Sequence, residues 1–227
     1  QSIREPQSDR RRCRRTTLWR GRTFRNRSEG WRSSLPAPVR DRTGVLDGHD
    51  GVWRQRVNEY LDLEQFMTQA AFEAFVAELD GINGVYGMNN FYLYRSLGSK
   101  RHRLFMWDKD SAFDGVEWDI FFNLDKYMLF QRLLSFPDLR ETYLRTLEDA
   151  ARSAAETSED ADRSAGESWL EREITRIAAL LANDVRQDPR KRFSTEQYLE
   201  AVESMKDFAR RRSAFVLEEV ARARRGR

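Results

Sequence analysis

Three carboxylates and one amide stand at positions from which they can meet. Asp108 and Asp110 directly follow the apolar run RLFMW, and Asn90 opens a second such run, NFYLYRS, with LGSKRH around the turn between them. Branched and aromatic runs on either side of a glycine-bearing turn predict a β-hairpin. Centring that turn on Ser99 pairs Tyr94 with Leu104, Tyr92 with Met106 and Asn90 with Asp108, so an amide and a carboxylate face each other across the strands. Asp80 ends the preceding helical stretch and reaches Asn90 through the short segment GINGVYGMN. Hard oxygen donors of this kind suit Mg²⁺ or Mn²⁺, which bind through one or two carboxylates plus substrate phosphates, and they do not suit zinc. A phosphate-bound Mg²⁺ site built on Asp80, Asn90, Asp108 and Asp110 is the chemistry expected. Each residue alone also has a plainer role: Asp80 can begin a turn, Asn90 can satisfy backbone groups, and Asp108 and Asp110 can cap a turn.

The elements that would position these residues are readable from periodicity. Asp62 is a good helix N-cap, and Leu63, Phe66, Met67, Ala70, Ala71, Ala74, Phe75 and Leu79 recur at helical spacing until Gly81. The aromatic residues Phe91, Tyr92, Leu93, Tyr94, Phe105 and Trp107 predict a hairpin with both faces in the core, and His102 falls in its solvent-facing turn. Helices are expected at 126–136, 138–156, 168–186 and 195–223, broken by Pro137 and Pro189 and by the linker SEDADRSAGES. Arg210, Arg211 and Arg212 read as a solvated helix face, and Lys109 as a solvent-facing residue between its two acids.

Composition narrows the function further. Of 227 residues, 40% are hydrophobic, and no stretch approaches the roughly 20 apolar residues of a membrane span. One cysteine, Cys13, excludes an internal disulfide framework and a cysteine-rich zinc site, and two histidines, His49 and His102, leave almost no material for a histidine metal centre and argue against a Ser-His-Asp triad. Residues 1–50 hold thirteen Arg, no Lys and six acids, a net +7, so the remainder carries −4 of the total +3. That arginine-rich front, broken by Pro36, Pro38, Gly21, Gly30 and Gly44, shows no sustained period; residues 1–56 read as poorly ordered or degraded. Trp19, Phe24 and Trp31 among the arginines allow nucleic-acid binding, the less favoured reading beside a solvated tail. The chain opens on Gln1 rather than Met, which fits a piece of a longer protein.

The run NNFYLYRSLGSKRHRLFMWDKDSAF resembles the signature of the CotH kinase family of spore-coat and secreted atypical protein kinases, an N-Y-Y-L-Y strand, a G-K turn and a W-D-x-D-x-x-F motif in that order. The segments YLDLEQFMTQAAFEAFVAELDGING, LFQRLLSFPDLRETYLRTL and FARRRSAFVLEEV are similar to the helices around it, so the resemblance covers about residues 57–223. It implies an α+β, kinase-like C-lobe whose hairpin carries the metal site and whose C-terminal part is a mainly helical bundle. It further implies transfer of the ATP γ-phosphate to Ser or Thr hydroxyls, with ATP and Mg²⁺ (or Mn²⁺) as cofactors. Asp80 would orient or deprotonate the hydroxyl, Asn90 and Asp108 would hold Mg²⁺, and Asp110 would be a second ligand or orienter. Implied partners are coat or surface proteins, at an extracellular, cell-surface or spore-coat location. Two departures stand out: no lysine precedes Lys100 to meet nucleotide phosphates, and Phe113-Asp114-Gly115 replaces the usual F-G pair. A non-catalytic pseudokinase or coat interaction module is the alternative.

Overall fold

A computed structural model describes residues 48–157 and 166–226. The described elements are helices α1 (Gly48–Asn58), α2 (Leu63–Phe75), α3 (Met128–Ser135), α4 (Pro137–Ala155), α5 (Trp169–Gln187) and α6 (Thr195–Arg225), with strands β1 (Phe91–Arg95) and β2 (His102–Met106) between α2 and α3. This is the α+β arrangement expected, and α3 to α6 are the four C-terminal helices.

The helix starts follow their caps. Asp62 accepts from the Gln65 N–H at 3.3 Å, and Ser168 accepts from the Glu171 N–H at 3.2 Å. Ser194 and Gln197 form a reciprocal capping box at the start of α6. Such caps supply orphan N–H groups with acceptors and contribute about 1 kcal/mol each. Pro137 opens α4 at a position where its missing N–H costs nothing. The apolar faces of α2, α3, α4 and α6 close on a core that includes Phe66, Phe130, Tyr143, Leu144, Leu147 and Val216. Tyr143 is fully enclosed, donates its hydroxyl to the Ile120 carbonyl, and has its ionisation pushed well up by burial.

Four expectations need correction. First, α1 begins inside the stretch 1–56 that reads as poorly ordered and runs past its end to Asn58; residues 1–47 fall outside the described residues. Its sequence, GHDGVWRQRVN, has two glycines and little periodicity, and tertiary contacts hold it instead. Trp53 stacks on Phe136 at 6.4 Å under the Arg132 guanidinium, Arg54 pairs with Asp138, and Arg132 pairs with Asp50. Second, α2 ends at Phe75 rather than at Gly81. Ala77 adopts a left-handed φ of 52°, which no helix continues.

Third, Arg212 is not on a solvated face: it is fully buried. Its Nη2 donates to the Ala74 carbonyl at 2.6 Å, its Nε to Phe75 at 2.9 Å, and its Nη1 to Val116 and Trp118 at 2.7 and 2.8 Å. Two of these carbonyls end α2, Phe75 and Ala74, the latter also accepting from the Ala77 N–H at 3.3 Å, so the guanidinium acts as that helix's cap. Burial pushes its ionisation down to about 10, still charged at neutral pH. Arg210 and Arg211, by contrast, pair with Glu171 and Asp207 at the surface.

Fourth, the hairpin faces are not both core. Leu104 is buried and Phe91 half-buried, whereas Tyr92, Leu93, Tyr94, Phe105 and Trp107 are each 52–57% exposed. Two strands can cover one face with a helix, and α2 does this; no described element covers the other. His102 belongs to β2, not to the turn, and exchanges backbone bonds with Tyr60 and Asp62 while its ring Nδ1–H donates to the Tyr60 carbonyl at 2.8 Å. The Gln65 amide then pairs with Leu104 as a strand would, accepting from its N–H at 2.9 Å and donating to its carbonyl at 2.7 Å.

Two outcomes follow from this packing. Arg212→Met removes the guanidinium donors from four carbonyls, one of which keeps the Ala77 N–H, and is expected to cost about 3–5 kcal/mol in urea unfolding, while Arg212→Lys recovers only part, since an ammonium has no planar fork. At the α4–α6 contact, Arg152 and Arg224 hold the Glu148 carboxyl below its ordinary 4.5. A depressed carboxylate stabilises fully above about pH 4.5 and loses that contribution as pH falls through its folded value. The thermal unfolding temperature should therefore fall below about pH 4.5, less steeply in Arg224→Ala.

Candidate functional site

The turn that ends α2 delivers Asp80. Beyond Ala77, the Leu79 N–H donates to the Ser111 carbonyl at 3.0 Å and the Phe113 N–H to the Val76 carbonyl at 2.7 Å, lacing residues 76–79 to 111–113. The loop 81–89 then folds on itself, with the Gly84 and Asn89 N–H groups on the Gly81 carbonyl and Val85 on Leu79. Gly84 allows this closure, because a Cβ there would lie 2.2 Å from the Leu79 carbonyl oxygen.

Asp80 and Asn90 meet directly. Asn90 donates through Nδ2 to Asp80 Oδ2 at 3.0 Å, and Asn89 donates to Oδ1 at 2.9 Å. Both carboxylate oxygens are thus oriented by amides, and Asn90 keeps its Oδ1 as the oxygen available to a cation. Asn89 is a site residue that the sequence reading passed over, although it stands beside Asn90 in the M-N-N run.

The register places Asn90 differently from expectation. Phe91 pairs with Met106 and Tyr92 with Phe105, so the strands are shifted by one residue and the Trp107 N–H donates to the Asn90 carbonyl at 3.0 Å. Asn90 therefore opposes Trp107, not Asp108. The turn sets register, and a connection centred between Gly98 and Ser99 rather than on Ser99 moves every pair by one. Asn90 and Asp108 both sit in the left-handed region, at φ 51° and 48°, where Asn and Asp are the residues that tolerate it best. These kinks carry the chain away from the sheet at the strand ends where Asn90 and Asp108 lie. Backbone held this way costs about 1–3 kcal/mol per residue and clusters where side chains must be aimed.

In the D-K-D segment the side chains alternate: Asp108 and Asp110 are exposed, whereas Lys109 is drawn inward. Asp110 accepts from the Ser111 hydroxyl at 3.3 Å. Lys109 does not face solvent; its Nζ reaches 2.9 Å from Glu73 Oε1, and Glu73 is fully buried. Beside it Glu78, 2% exposed, accepts from the Asp80 N–H at 2.9 Å, and burial pushes its carboxyl up. Neither glutamate was singled out in the sequence, yet Glu73 could have been: it lies seven residues after Phe66 and three after Ala70, an acid on an apolar stripe.

Among the described residues no group of three or more His, Cys, Asp or Glu side chains is arranged to hold a metal ion. Asp80 is held by two amides, and Asp108 and Asp110 stand exposed on the neighbouring segment. Phe113 closes that segment at φ 66° and packs on Phe208 of α6, with ring centroids 5.1 Å apart.

Among the described residues no helix is long and apolar enough to cross a membrane. Comparison with curated proteins returns no match. The family model described as CotH kinase protein matches residues 43–216, about three quarters of the chain and fourteen residues earlier than the sequence resemblance begins. The chain belongs to the CotH kinase protein family.

Proposed function

We propose that this chain transfers the γ-phosphoryl group of ATP to Ser or Thr hydroxyls of protein substrates. The observation that carries the reading is the Asp80 carboxylate, held through both oxygens by Asn89 and Asn90 beside a segment bearing two outward carboxylates. An acid fixed in direction but not consumed by a salt bridge is what aligning an attacking hydroxyl requires. Asn90 Oδ1, Asp108 and Asp110 would hold Mg²⁺ or Mn²⁺: the donors are hard oxygens, two of them charged, and two of the three residues sit on strained backbone that aims them. Bound there with ATP, the cation supplies bridging of the phosphates and neutralisation of charge on the transferred group. Asp80 accepts the hydroxyl proton or orients the hydroxyl, and the Asn89 and Asn90 amides keep it from rotating away. Membership of the CotH kinase family supports the nucleotide and protein-substrate parts of this reading. The family's link with spore coats points to exported coat or surface proteins as substrates.

One observation favours a second reading, a pseudokinase that binds partners without transfer: Lys109, between the two outward acids, is committed to Glu73. Two measurements separate them. Calorimetric titration of ATP should show affinity that rises with Mg²⁺, and Asp108→Ala should remove that metal-dependent part; a folded wild type without it sinks the Mg²⁺ site. Transfer of labelled γ-phosphate, to the chain itself or to a coat-protein extract, should fall about 10²–10⁴-fold in Asp80→Asn while ATP binding persists. Binding without any transfer in the wild type would establish the pseudokinase.

A further inference from the structure

Beneath the Asp80 loop lies a buried charged node that links three segments. Glu73, on α2, has no solvent exposure; its Oε1 is 2.9 Å from Lys109 Nζ, and its Oε2 accepts from the Ile82 N–H at 2.6 Å. Gln69 adds a bond to Oε1 at 3.4 Å. Glu78 accepts from the Asp80 N–H at 2.9 Å. Two buried carboxylates thus take the N–H groups on either side of Gly81, at Asp80 and Ile82, and one ammonium joins them to the D-K-D segment. The fit is tight: a Cβ at Gly81 would come within 2.0 Å of Glu73 Oε2. Burial raises the Glu78 carboxyl, and the carboxylate in contact with the Lys109 ammonium is that of Glu73.

A buried ion pair is a poor stabiliser, because desolvation of both charges offsets their attraction, and an apolar pair of similar volume often does as well. What such a pair does supply is a single arrangement, since either charge alone is costly to bury. Here the arrangement has a direction. Lys109 is drawn inward while Asp108, turned by its left-handed backbone, and Asp110 on either side of it are exposed. The same Glu73 carboxylate holds the loop that carries Asp80.

We propose that Lys109 and Glu73 are the positioning pair of the phosphoryl-transfer site, setting the two outward carboxylates of the D-K-D segment against the Asp80 loop through one buried ion pair. This rests on the reading of the site given above, and it assigns Lys109 to the core side of the site rather than to nucleotide phosphates.

The test is calorimetric titration of Mn²⁺·ATP, and of ATP without metal, into the full chain, with thermal unfolding recorded for each variant. Lys109→Met and Glu73→Gln are each expected to weaken the Mn²⁺-dependent affinity tenfold or more, at unchanged stoichiometry and with metal-free ATP affinity unaltered. The double variant should lose no more than the worse single one, because either change dissolves the same pair. Lys109→Arg should recover part of the loss. If Lys109→Met fails to fold, Glu73→Asp carries the test: it keeps the charge but shortens its reach, and is expected to lose metal-dependent affinity while remaining folded. Folded single variants that bind Mn²⁺·ATP like the wild type, or losses that add in the double variant, overturn the pair alone. A wild type with no metal-dependent affinity overturns the site reading itself, and the catalytic meaning of the pair with it.

Discussion

One guanidinium sets where the site begins. Helix α2 must stop at Phe75 for the chain to turn through Ala77 and present Asp80, and stopping a helix in the interior leaves carbonyls that water cannot reach. Arg212 meets that need from α6, placing its donors on Ala74 and Phe75 at one end and on Val116 and Trp118 at the other. The residue has no carboxylate partner in this network. Its charge is spread over carbonyl dipoles and over the faces of Phe208 and Phe215, which are 5.9 and 5.3 Å away. The segment after the D-K-D acids is therefore fixed to the same point that ends α2.

The site rests on three further attachments of different physical kind. The Gln65 amide and the 60–62 backbone bond one edge of β2, so the hairpin is held to the start of α2 by hydrogen bonds that continue a sheet. The Glu73 and Glu78 carboxylates grip the loop behind Asp80. The kinked backbone at Asn90 and Asp108 is then kept in place by neighbours that are themselves anchored, which is how strain of that kind persists. Apolar packing supplies most of the stability of the helical part, but directed polar contacts aim the side chains.

Much of this architecture was legible in local sequence, because local physics decides it. Asp62 announces a helix start, Pro137 divides α3 from α4, and the aromatic runs around Gly98 announce the hairpin. Asp80 and Asn90 were found together because the helix end and the strand start are joined by a short loop. What escaped depends on partners distant in sequence. Arg212 lies among charged neighbours, and its acceptor Phe75 is 137 residues away. Lys109 sits between two acids that offer obvious surface pairing, while its true partner is hidden in α2. The register slipped by one because Gly98 and Ser99 compete for the centre of the turn, and that slip moved Asp108 out of opposition to Asn90. Helix α1 was missed because its two glycines hide a helix held by Trp53 and Arg54 against α3 and α4.

The long reach of Arg212 also gives the site a history during synthesis. A ribosome releases α2, the Asp80 loop and the hairpin well before α6, and elements with local contacts can form as they emerge. Until the sixth helix docks, the Phe75 carbonyl lacks its guanidinium donor and the 116–118 segment lacks its bond to α6. The loop that carries Asp80 is thus assembled in outline early and locked last, so a nascent chain has its acids in order before it has them in place.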